Sequence, residues 1–282
     1  MSKNFNEFEF KFEAVDDCLV CKNKVLIPNG RVKWHKFDFW YVICTQCGLK
    51  IMNPRPTRES YKVFYKDYFW GQKITNAGFH QEGQMWNVDR YNFDNDKKWD
   101  PKKGKENRIE KHKKQRADYI IPTVASMISI GPSSNILEIG CGFGVTLNEF
   151  KKKYHCNVYA IEPSLEAKKS LDEFGIELIG QYAEDLEGIS RDGEKFDVII
   201  FSHVLENTID PLNVLASARD SLSKTGIIYL QTPNLLTFDQ MNPYHPYIFS
   251  KTSMGRISEE LGLKYKVVSD GLDKMLTMIF SK

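Results

Sequence analysis

The stretch Ile136-Leu137-Glu138-Ile139-Gly140-Cys141-Gly142-Phe143-Gly144 decides the fold of this chain. An apolar strand ends near a carboxylate, three glycines stand at alternate positions, and a helical pattern begins at Val145. Glycine is needed in such a turn because a Cβ would exclude positive φ angles and keep a ligand away from the backbone. The stretch therefore predicts a strand, a tight ligand-binding turn and a helix.

A second strand that ends in an acid supports this interpretation. Residues 158–162 form a short, largely apolar stretch that ends in Glu162, and Glu162 lies 22 residues after Gly140. An acidic residue about 20 positions beyond the first glycine is placed to bind the two hydroxyls of a ribose. The two strands together predict a ligand that contains a nucleoside, rather than an ordinary strand–helix–strand unit.

The pattern of the glycines distinguishes S-adenosylmethionine (SAM) from a dinucleotide. Dinucleotide sites use G-x-G-x-x-G and aim backbone N–H groups at a pyrophosphate. Here the pattern is Glu-x-Gly-x-Gly-x-Gly, and the carboxylate of Glu138 suits the ammonium and sulfonium cations of SAM. At this point the chain resembles the class I SAM-dependent methyltransferases, and the resemblance covers about residues 108–282.

The resemblance implies an α/β fold with a Rossmann-like, seven-stranded sheet. The alternating pattern predicts later strands at 177–180, 196–202, 226–232, 264–270 and 275–281, with helices at 164–174 and 210–223. The family places its SAM contacts at the carboxyl ends of the strands. In this chain those positions are Glu138, Gly140, Gly142, Gly144, Glu162, Ala183, Glu184 and Ser202. Asp185 is an alternative to Glu184 for the adenine amino group.

Composition limits the classes of partner. The 282 residues contain 39 Lys and Arg against 37 Asp and Glu, and a net charge of +2 makes nucleic acid an improbable partner. No run of 18 apolar residues occurs, which predicts no membrane span. Residues 1–17 lack the pattern of a signal peptide, so we expect a cytoplasmic protein. The oligomeric state is not predicted.

Four of the six cysteines form two Cys-x-x-Cys pairs, Cys18/Cys21 and Cys44/Cys47, with 22 residues between the pairs. In a reducing compartment, such pairs indicate metal ligands rather than disulfides. The intervening residues 32–43 predict a hairpin. Four thiolates around one tetrahedral zinc leave no open position, so the pattern predicts a structural zinc ribbon; a redox pair is the alternative.

Asn53-Pro54-Arg55-Pro56 and an aromatic run from Tyr61 to Trp70 follow the second pair. This order resembles methyltransferases that modify nucleotide-linked or capsular sugars. We therefore predict three domains: a zinc ribbon at 1–60, an aromatic-rich linker or lid at 61–107 and a SAM-dependent methyltransferase domain at 108–282. The aromatic run indicates either core packing or a sugar platform, and the basic run 97–116 either a solvated face or a phosphate-binding patch.

The stretch Phe201–Pro211 resembles the family signature His-Val-Leu-Glu-His…Asp-Pro, with Asn207 in place of the second histidine. His203 and Glu206 stand three residues apart, and His245 lies in a segment that resembles the second histidine segment of the family. Histidine is the usual base near neutral pH. We predict that His203 or His245 removes a proton and that Glu206 orients it; a divalent cation held by all three is an alternative.

The combined resemblance predicts methyl transfer from SAM to a hydroxyl of a sugar or nucleotide-linked sugar, in a capsule polysaccharide or natural-product pathway. Three alternatives remain at this point. They are C- or N-methylation of a nucleotide-linked deoxysugar, methylation of RNA, and a zinc-ribbon interaction protein with a relic SAM fold. The chain lacks an Asn-Pro-Pro-Tyr or Asp-Pro-Pro-Tyr motif, which is typical of methylases that act on base amines.

Overall fold

A computed structural model defines the fold. It describes residues 8–34, 36–64, 80–82, 116–191, 195–239, 241–269 and 273–282. The predicted lid at 61–107 and the basic run at 97–116 lie largely outside the described residues, so the interpretations of both remain predictions. Within the described ranges, no helix combines the length and the apolar composition needed to cross a membrane.

The amino-terminal part of the chain forms short strands and one helix. In chain order these are β1 (Phe12–Glu13), β2 (Leu26–Trp34), β3 (Phe37–Cys44), β4 (Lys50–Met52), β5 (Arg55–Pro56), α1 (Arg58–Phe64) and β6 (His80–Glu82). Strands β2 and β3 pair antiparallel from Leu26–Cys44 to Trp34–Phe37. This pairing is the hairpin that the sequence predicted, in a longer form.

The later part of the chain alternates helices and strands. Its elements are α2 (Asp118–Ala125), β7 (Asn135–Ile139), α3 (Val145–Tyr154), β8 (Asn157–Ile161), α4 (Leu165–Phe174), β9 (Glu177–Gly180), α5 (Leu186–Arg191), β10 (Phe196–Ser202), α6 (Pro211–Ser221), β11 (Leu222–Pro233), β12 (Tyr247–Ile248), α7 (Lys251–Glu260), β13 (Lys264–Val267) and β14 (Met275–Ser281). Strands β9, β10 and β14 have the predicted bounds. Strand β11 begins four residues earlier than predicted, because helix α6 ends at Ser221.

Seven of these strands form one sheet, in the order β13–β14–β11–β10–β7–β8–β9. The pairs β10–β7, β7–β8 and β8–β9 are parallel. Parallel strands carry helices on both faces of the sheet, which is why β10 is almost continuously apolar and buried. The α/β, Rossmann-like prediction is confirmed, and ligands of such sheets bind at the carboxyl ends of the strands.

A second sheet has the order β12–β4–β3–β2–β6, and β1 pairs antiparallel with β5 in a separate two-stranded sheet. Its outermost strand β12 comes from the late part of the chain and pairs antiparallel with β4, through Tyr247–Ile51 and Ile248–Lys50. The sheet that follows the first cysteines is therefore completed by residues that lie about 200 positions further along the chain.

The chain divides into two compact units. The first, here called the cysteine unit, comprises residues 1–95, 203–212 and 231–278. The second, here called the glycine-loop unit, comprises residues 96–202, 213–230 and 279–282. The predicted domain limits at residues 60 and 107 remain predictions. The packing adds that the segments with His203, Glu206 and His245 belong to the same unit as the four cysteines.

The core of the cysteine unit is rich in aromatic side chains. Tyr61 and Phe64 are buried in it, which supports the packing interpretation for that part of the aromatic run. Their neighbours come from both ends of the chain and include Phe8, Phe10, Trp34, Phe37, Phe39, Tyr41, Leu235, Met241 and Ile248. The packing of the unit explains the aromatic residues at these positions, and they give no information on the methyl acceptor.

A buried ion pair lies in the same unit. The Nζ atom of Lys50 is 2.6 Å from Oδ2 of Asp239, and both side chains are fully buried. The ammonium also lies 5.7 Å from the centre of the Tyr41 ring. Burial lowers the pKa of Lys50, and the carboxylate of Asp239 opposes this effect. Neither charge is tolerated in such a place without the other.

Candidate functional site

The glycine loop of the glycine-loop unit has the predicted strand–turn–helix form. Gly140, Gly142 and Gly144 have φ angles of +66°, +55° and +72°, all in the left-handed region that favours glycine. The Gly140 N–H donates to the carbonyl oxygen of Ile161 at 2.7 Å, which ties the loop to the end of β8. The loop is therefore held at the carboxyl ends of two neighbouring parallel strands.

Gly142 and Gly144 are needed for different reasons. A Cβ on Gly144 would lie 2.5 Å from Cδ2 of Leu171 and 2.6 Å from Cδ1 of Ile176, so this glycine permits close packing. A Cβ on Gly142 would meet no atom of the described residues within 4 Å. The space beside Gly142 is open among the described residues, and we expect a ligand to approach the backbone here.

Glu162 braces the loop with both carboxylate oxygens. Its Oε2 accepts the N–H of Gly142 at 2.7 Å, and its Oε1 accepts the N–H of Ser164 at 2.8 Å. Burial raises the pKa of Glu162, and these two hydrogen bonds oppose that effect. Each oxygen retains a lone pair, so the carboxylate can also accept the ribose hydroxyls that the sequence assigned to it.

Glu138 is the buried acid before the glycines. It is 1% exposed, and its Oε2 has no hydrogen-bond partner among the described residues. Burial raises the pKa of Glu138 to about 8, and the positive charge of Arg116 only partly opposes this. A buried carboxyl oxygen without a partner fits a site that receives a cationic ligand, because a nearby cation favours the ionised form.

The remaining predicted SAM contacts lie at the ends of later strands. Ala183 and Glu184 form a 3-10 turn directly after β9, and Ser202 is the buried last residue of β10. Oδ2 of Asp185 accepts the backbone N–H groups of Gln181 and Tyr182, at 2.8 and 2.9 Å. The Asp185 carboxylate therefore bonds to the backbone of its own turn. Of the two acids, Glu184 is then favoured as the partner of the adenine amino group.

A substitution at Gly142 tests the loop directly. We expect Gly142→Ala to weaken SAM binding by about 10-fold or more, which corresponds to about 1.4 kcal/mol, because the new methyl group enters the ligand space. Gly262→Ala is the matched control, since Gly262 also has a positive φ of +62° and open space around its Cβ. Both variants should lose about 1–2 kcal/mol of stability from the left-handed conformation. Calorimetry showing equal SAM affinity in both would refute the assignment.

His203 begins the segment that follows β10, and its backbone is strained. Its φ of +59° is rare for a residue with a Cβ and costs about 1–2 kcal/mol. The backbone is held there from two sides: the His203 N–H donates to Gln231 at 2.9 Å, and Nδ2 of Asn207 donates to the His203 carbonyl oxygen at 3.0 Å. Asn207, which replaces the second histidine of the family signature, thus stabilises the conformation of His203.

Glu206 lies beside His203 and is completely buried. Its Oε1 is 3.4 Å from Nδ1 of His203, as the spacing of three residues predicted. Burial by itself would raise the pKa of Glu206, but the contact with His203 and the charges of His203 and His245 outweigh it and lower the pKa. Glu206 is therefore a buried carboxylate whose negative charge depends on two histidines.

Asn242 determines which nitrogen of His245 carries the proton. The side-chain oxygen of Asn242 accepts the backbone N–H of Tyr244 at 3.0 Å, which fixes the orientation of the amide. Its Nδ2 group must then donate to Nδ1 of His245, 2.9 Å away. The neutral His245 ring therefore carries its proton on Nε2 and has no free acceptor nitrogen. The two histidines are not equivalent, which the sequence did not reveal.

The four cysteines come together in the cysteine unit. Their sulfur atoms all lie within 4.8 Å of one another, with Cys18 and Cys47 3.5 Å apart and Cys21 and Cys44 3.4 Å apart. A tetrahedral zinc with Zn–S bonds of about 2.3 Å needs sulfurs about 3.8 Å apart. The group is therefore compatible with the predicted zinc ribbon.

The two Cys-x-x-Cys turns have the same backbone geometry. Lys22 donates to the carbonyl oxygen of Cys18 at 2.9 Å, and Gly48 donates to that of Cys44 at 3.0 Å. Both donors have positive φ, 56° and 70°. The hydrogen bond with Cys47 lowers the pKa of Cys18 to about 5, and the same bond raises that of Cys47. Four sulfurs on paired turns form a set of donors that suits zinc.

Among the described residues, this is the one group of three or more potential metal ligands with donor atoms within 4.8 Å of one another. His203, Glu206 and His245 do not form such a group. The structure therefore gives no support to the divalent cation that the sequence left as an alternative.

Sequence reasoning missed several residues that shape these sites. Tyr41 and Tyr61 contact the turn that carries His245. Asn242 forms a hydrogen bond with His245, and the charge of Arg116 partly opposes the rise in the pKa of Glu138. The position of Asn242 three residues before His245 was a usable local signal. Nothing local marks Tyr41, because its contacts with the turn span 201 and 204 residues.

The glycine loop and the parallel sheet define a SAM-dependent methyltransferase of class I. The profile of the family described as "Methyltransferase domain" matches residues 112–268, and the chain belongs to this family.

Solved structures agree with the fold. A SAM-dependent methyltransferase from Archaeoglobus fulgidus aligns with a TM-score of 0.51 and 14% identity, covering 65% of this chain and 100% of that one. The plantazolicin methyltransferase BamL, in complex with a triazolic desmethylPZN analog and SAH, has a TM-score of 0.51 and 15% identity, covering 64% and 91%.

The chain is also similar to curated proteins. The ubiquinone biosynthesis O-methyltransferase of Actinobacillus pleuropneumoniae serotype 7 is 28% identical over 163 residues, covering 53% of this chain and 67% of that protein. The protein of the same name from Haemophilus ducreyi is 33% identical over 107 residues, covering 35% and 45%.

These relatives show that the predicted acceptor is wrong. The prediction of a sugar or nucleotide-linked sugar rested on the zinc ribbon and the aromatic run, whereas the curated relatives are O-methyltransferases of ubiquinone biosynthesis. The physical reason lies in the packing, because Tyr61 and Phe64 are buried in the core of the cysteine unit. The methyl donor was predicted correctly, and sugars and nucleotide-linked sugars are no longer considered as acceptors.

Proposed function

We propose that the protein transfers the methyl group of SAM to a hydroxyl of a small molecule, as the names of its curated relatives suggest, with a ring hydroxyl of a quinone precursor as the acceptor. The names support an oxygen acceptor of low molecular weight. The observation that carries the proposal is the strained His203 beside the buried carboxylate of Glu206. This pair suits removal of a proton from a hydroxyl.

His203 is the proposed general base. In this proposal Nδ1 of His203, which lies 3.4 Å from Oε1 of Glu206, carries the proton, and the Nε2 lone pair is left to take one from the hydroxyl. A phenolic hydroxyl has an ordinary pKa near 10, as in tyrosine, and needs such help at neutral pH. In this proposal Glu206 positions the ring through this contact. His245, with its proton on Nε2, acts as a donor or as a positive charge when protonated.

The glycine-loop unit holds SAM in this proposal. Gly140, Gly142 and Gly144 bind the methionine part, Glu138 faces its cations, and Glu162 accepts the ribose hydroxyls. Ala183, Glu184 and Ser202 complete the adenine side. When bound, SAM supplies an electrophilic methyl group. Every other task falls to the chain: to hold the acceptor, to take its proton and to exclude water.

We also propose a structural zinc on Cys18, Cys21, Cys44 and Cys47. The paired turns and the distances between the sulfurs support it. Four thiolates leave no coordination position for a substrate, so the ion serves the fold alone. The division into a zinc ribbon at 1–60, a linker or lid at 61–107 and a SAM domain at 108–282, and a cytoplasmic location, are kept as proposals.

Radiolabel transfer tests the function. The protein is incubated with methyl-labelled SAM and 3,4-dihydroxybenzoate, and the label is expected in an O-methyl ether of that phenol. The control acceptor is 3,4-dimethoxybenzoate, which has the same ring and no free hydroxyl. Label on a ring carbon, or no transfer to this probe or to a panel of other small phenols, would contradict the proposal.

The two histidines should differ in their effect on turnover. We expect His203→Gln to lower kcat by about 10²–10⁴-fold, because glutamine cannot accept the proton. His245→Gln keeps a donor group and should cost about 10-fold or less. Both variants should bind SAM normally by calorimetry. The reverse order of effects would show that His245, and not His203, is the base.

A further inference from the structure

The turn that carries His245 forms several hydrogen bonds with residues from the amino-terminal segment. Met52 donates its N–H to the carbonyl oxygen of Pro246 at 2.8 Å. The Tyr61 hydroxyl donates to the carbonyl oxygen of Pro243 at 2.8 Å. These contacts join β4 and α1 to a turn that lies more than 180 residues further along the chain. All of them lie within the cysteine unit.

Tyr41 of β3 makes the central contact. Its hydroxyl oxygen is 2.7 Å from the carbonyl oxygen of Asn242 and 2.9 Å from that of His245, so one proton is shared between the two ends of the turn. The Asn242 carbonyl also accepts the N–H of His245 at 3.0 Å. Tyr41 therefore closes the turn at the two residues whose side chains determine the proton position on the His245 ring.

Both hydroxyls are suited to this task. Tyr41 is 1% exposed and Tyr61 is 2% exposed. Burial raises the pKa of each well above the ordinary value, so both remain protonated donors throughout the neutral range. A backbone carbonyl inside a protein needs a donor, and these hydroxyls supply one to the carbonyls at 242, 243 and 245.

We propose that Tyr41 and Tyr61 are positioning residues of the reaction, because their hydroxyls hold the Asn242–His245 turn and so fix the position of the His245 ring. The inference rests on the proposed function, in which these side chains serve the acceptor. It assigns the amino-terminal segment a part in catalysis that is separate from zinc binding. Neither tyrosine contacts a reacting atom in this scheme.

The test uses Tyr41→Phe and Tyr61→Phe in the full chain. Each is expected to lower kcat for 3,4-dihydroxybenzoate by about 10-fold and to leave the SAM dissociation constant unchanged, since SAM contacts lie in the other unit. Gly262→Ala is the control for a general loss of stability in the same unit, and Tyr119→Phe is the control for loss of an exposed tyrosine hydroxyl. Neither control should change kcat.

A second measurement does not depend on the acceptor. The titration of the Glu206 carboxyl is followed by carbon-13 NMR, with its signal assigned by Glu206→Gln. In Tyr41→Phe the pKa of Glu206 should rise towards its ordinary value, because the His245 charge that helps to lower it moves away. If the wild type fails to methylate phenols but this shift occurs, the proposed function is wrong and the positioning role stands. Folded tyrosine variants with unchanged kcat and an unchanged Glu206 titration would overturn the inference.

Discussion

Replacing Cys47 by serine is expected to remove zinc from the protein and to lower its stability more than any other single change considered. One ligand of four is lost, and a serine hydroxyl binds zinc far less well than a thiolate. In small zinc-finger peptides the metal contributes about 10–16 kcal/mol, so even a part of that sum is a large fraction of the stability of a domain. Metal analysis of freshly purified protein and denaturant unfolding measure the two effects.

Cys156→Ser provides the matched control for the cysteine prediction. Cys156 is also buried, and it lies outside the four-cysteine group. The control should keep one zinc per chain and lose only the stability expected for a buried polar substitution. Wild-type protein that contains no zinc, or Cys47→Ser protein that retains it, would contradict the assignment. A chelator should reproduce the Cys47→Ser result with the wild type.

Breaking the Lys50–Asp239 pair is expected to have the second largest effect. Both side chains are fully buried, so Lys50→Met removes the ammonium that neutralises the Asp239 carboxylate inside the protein. Removing one partner of a buried pair typically costs about 3–5 kcal/mol. The free energy of unfolding, measured in urea, should fall by about this amount.

Two further variants decide whether the pair itself is responsible. The double variant Lys50→Met with Asp239→Leu removes both charges and should recover most of the lost stability. Lys224→Met changes an exposed lysine and should shift the unfolding free energy by about 0.5 kcal/mol or less. If the double variant is no more stable than Lys50→Met, loss of packing rather than an unpaired charge explains the effect.

The predicted site residues fall into the two compact units. The predicted SAM contacts lie in the glycine-loop unit, whereas His203, Glu206 and His245 lie in the cysteine unit with the four cysteines. The two groups of variants can therefore be distinguished by two measurements, SAM affinity and kcat. SAM affinity is expected to change with Gly142→Ala, and kcat alone with His203→Gln or Tyr41→Phe.

The methyl donor was predicted correctly and the acceptor was not, because the two predictions rested on different parts of the chain. The glycine loop lies in the part of the chain that matches the methyltransferase family, and this match supports the predicted methyl donor, SAM. The amino-terminal third lies outside the family match at residues 112–268. Its aromatic residues are explained by the core that they form, since Phe64 packs against both Phe10 and Trp34. Packing residues of this kind are compatible with many acceptors.

The sequence by itself determined the donor-binding loop, the order of most strands and helices, and the four-cysteine pattern. These features are local: three glycines within five residues, acid-ended strands 22 residues apart and two Cys-x-x-Cys pairs specify them without distant partners. Backbone conformation and ligand chemistry act over such short ranges, which is why these predictions held.

Only the tertiary structure decided how the proposed acid–base residues are held. The orientation of the Asn242 amide distinguishes His245 from His203, and Tyr41 reaches the His245 turn across 204 residues. The pairing of β12 with β4 and the burial of Lys50 against Asp239 also join the two ends of the chain. Contacts of this kind depend on the packing of the whole cysteine unit. A hydrogen bond between residues so far apart leaves no periodicity or spacing in the sequence from which it could be read.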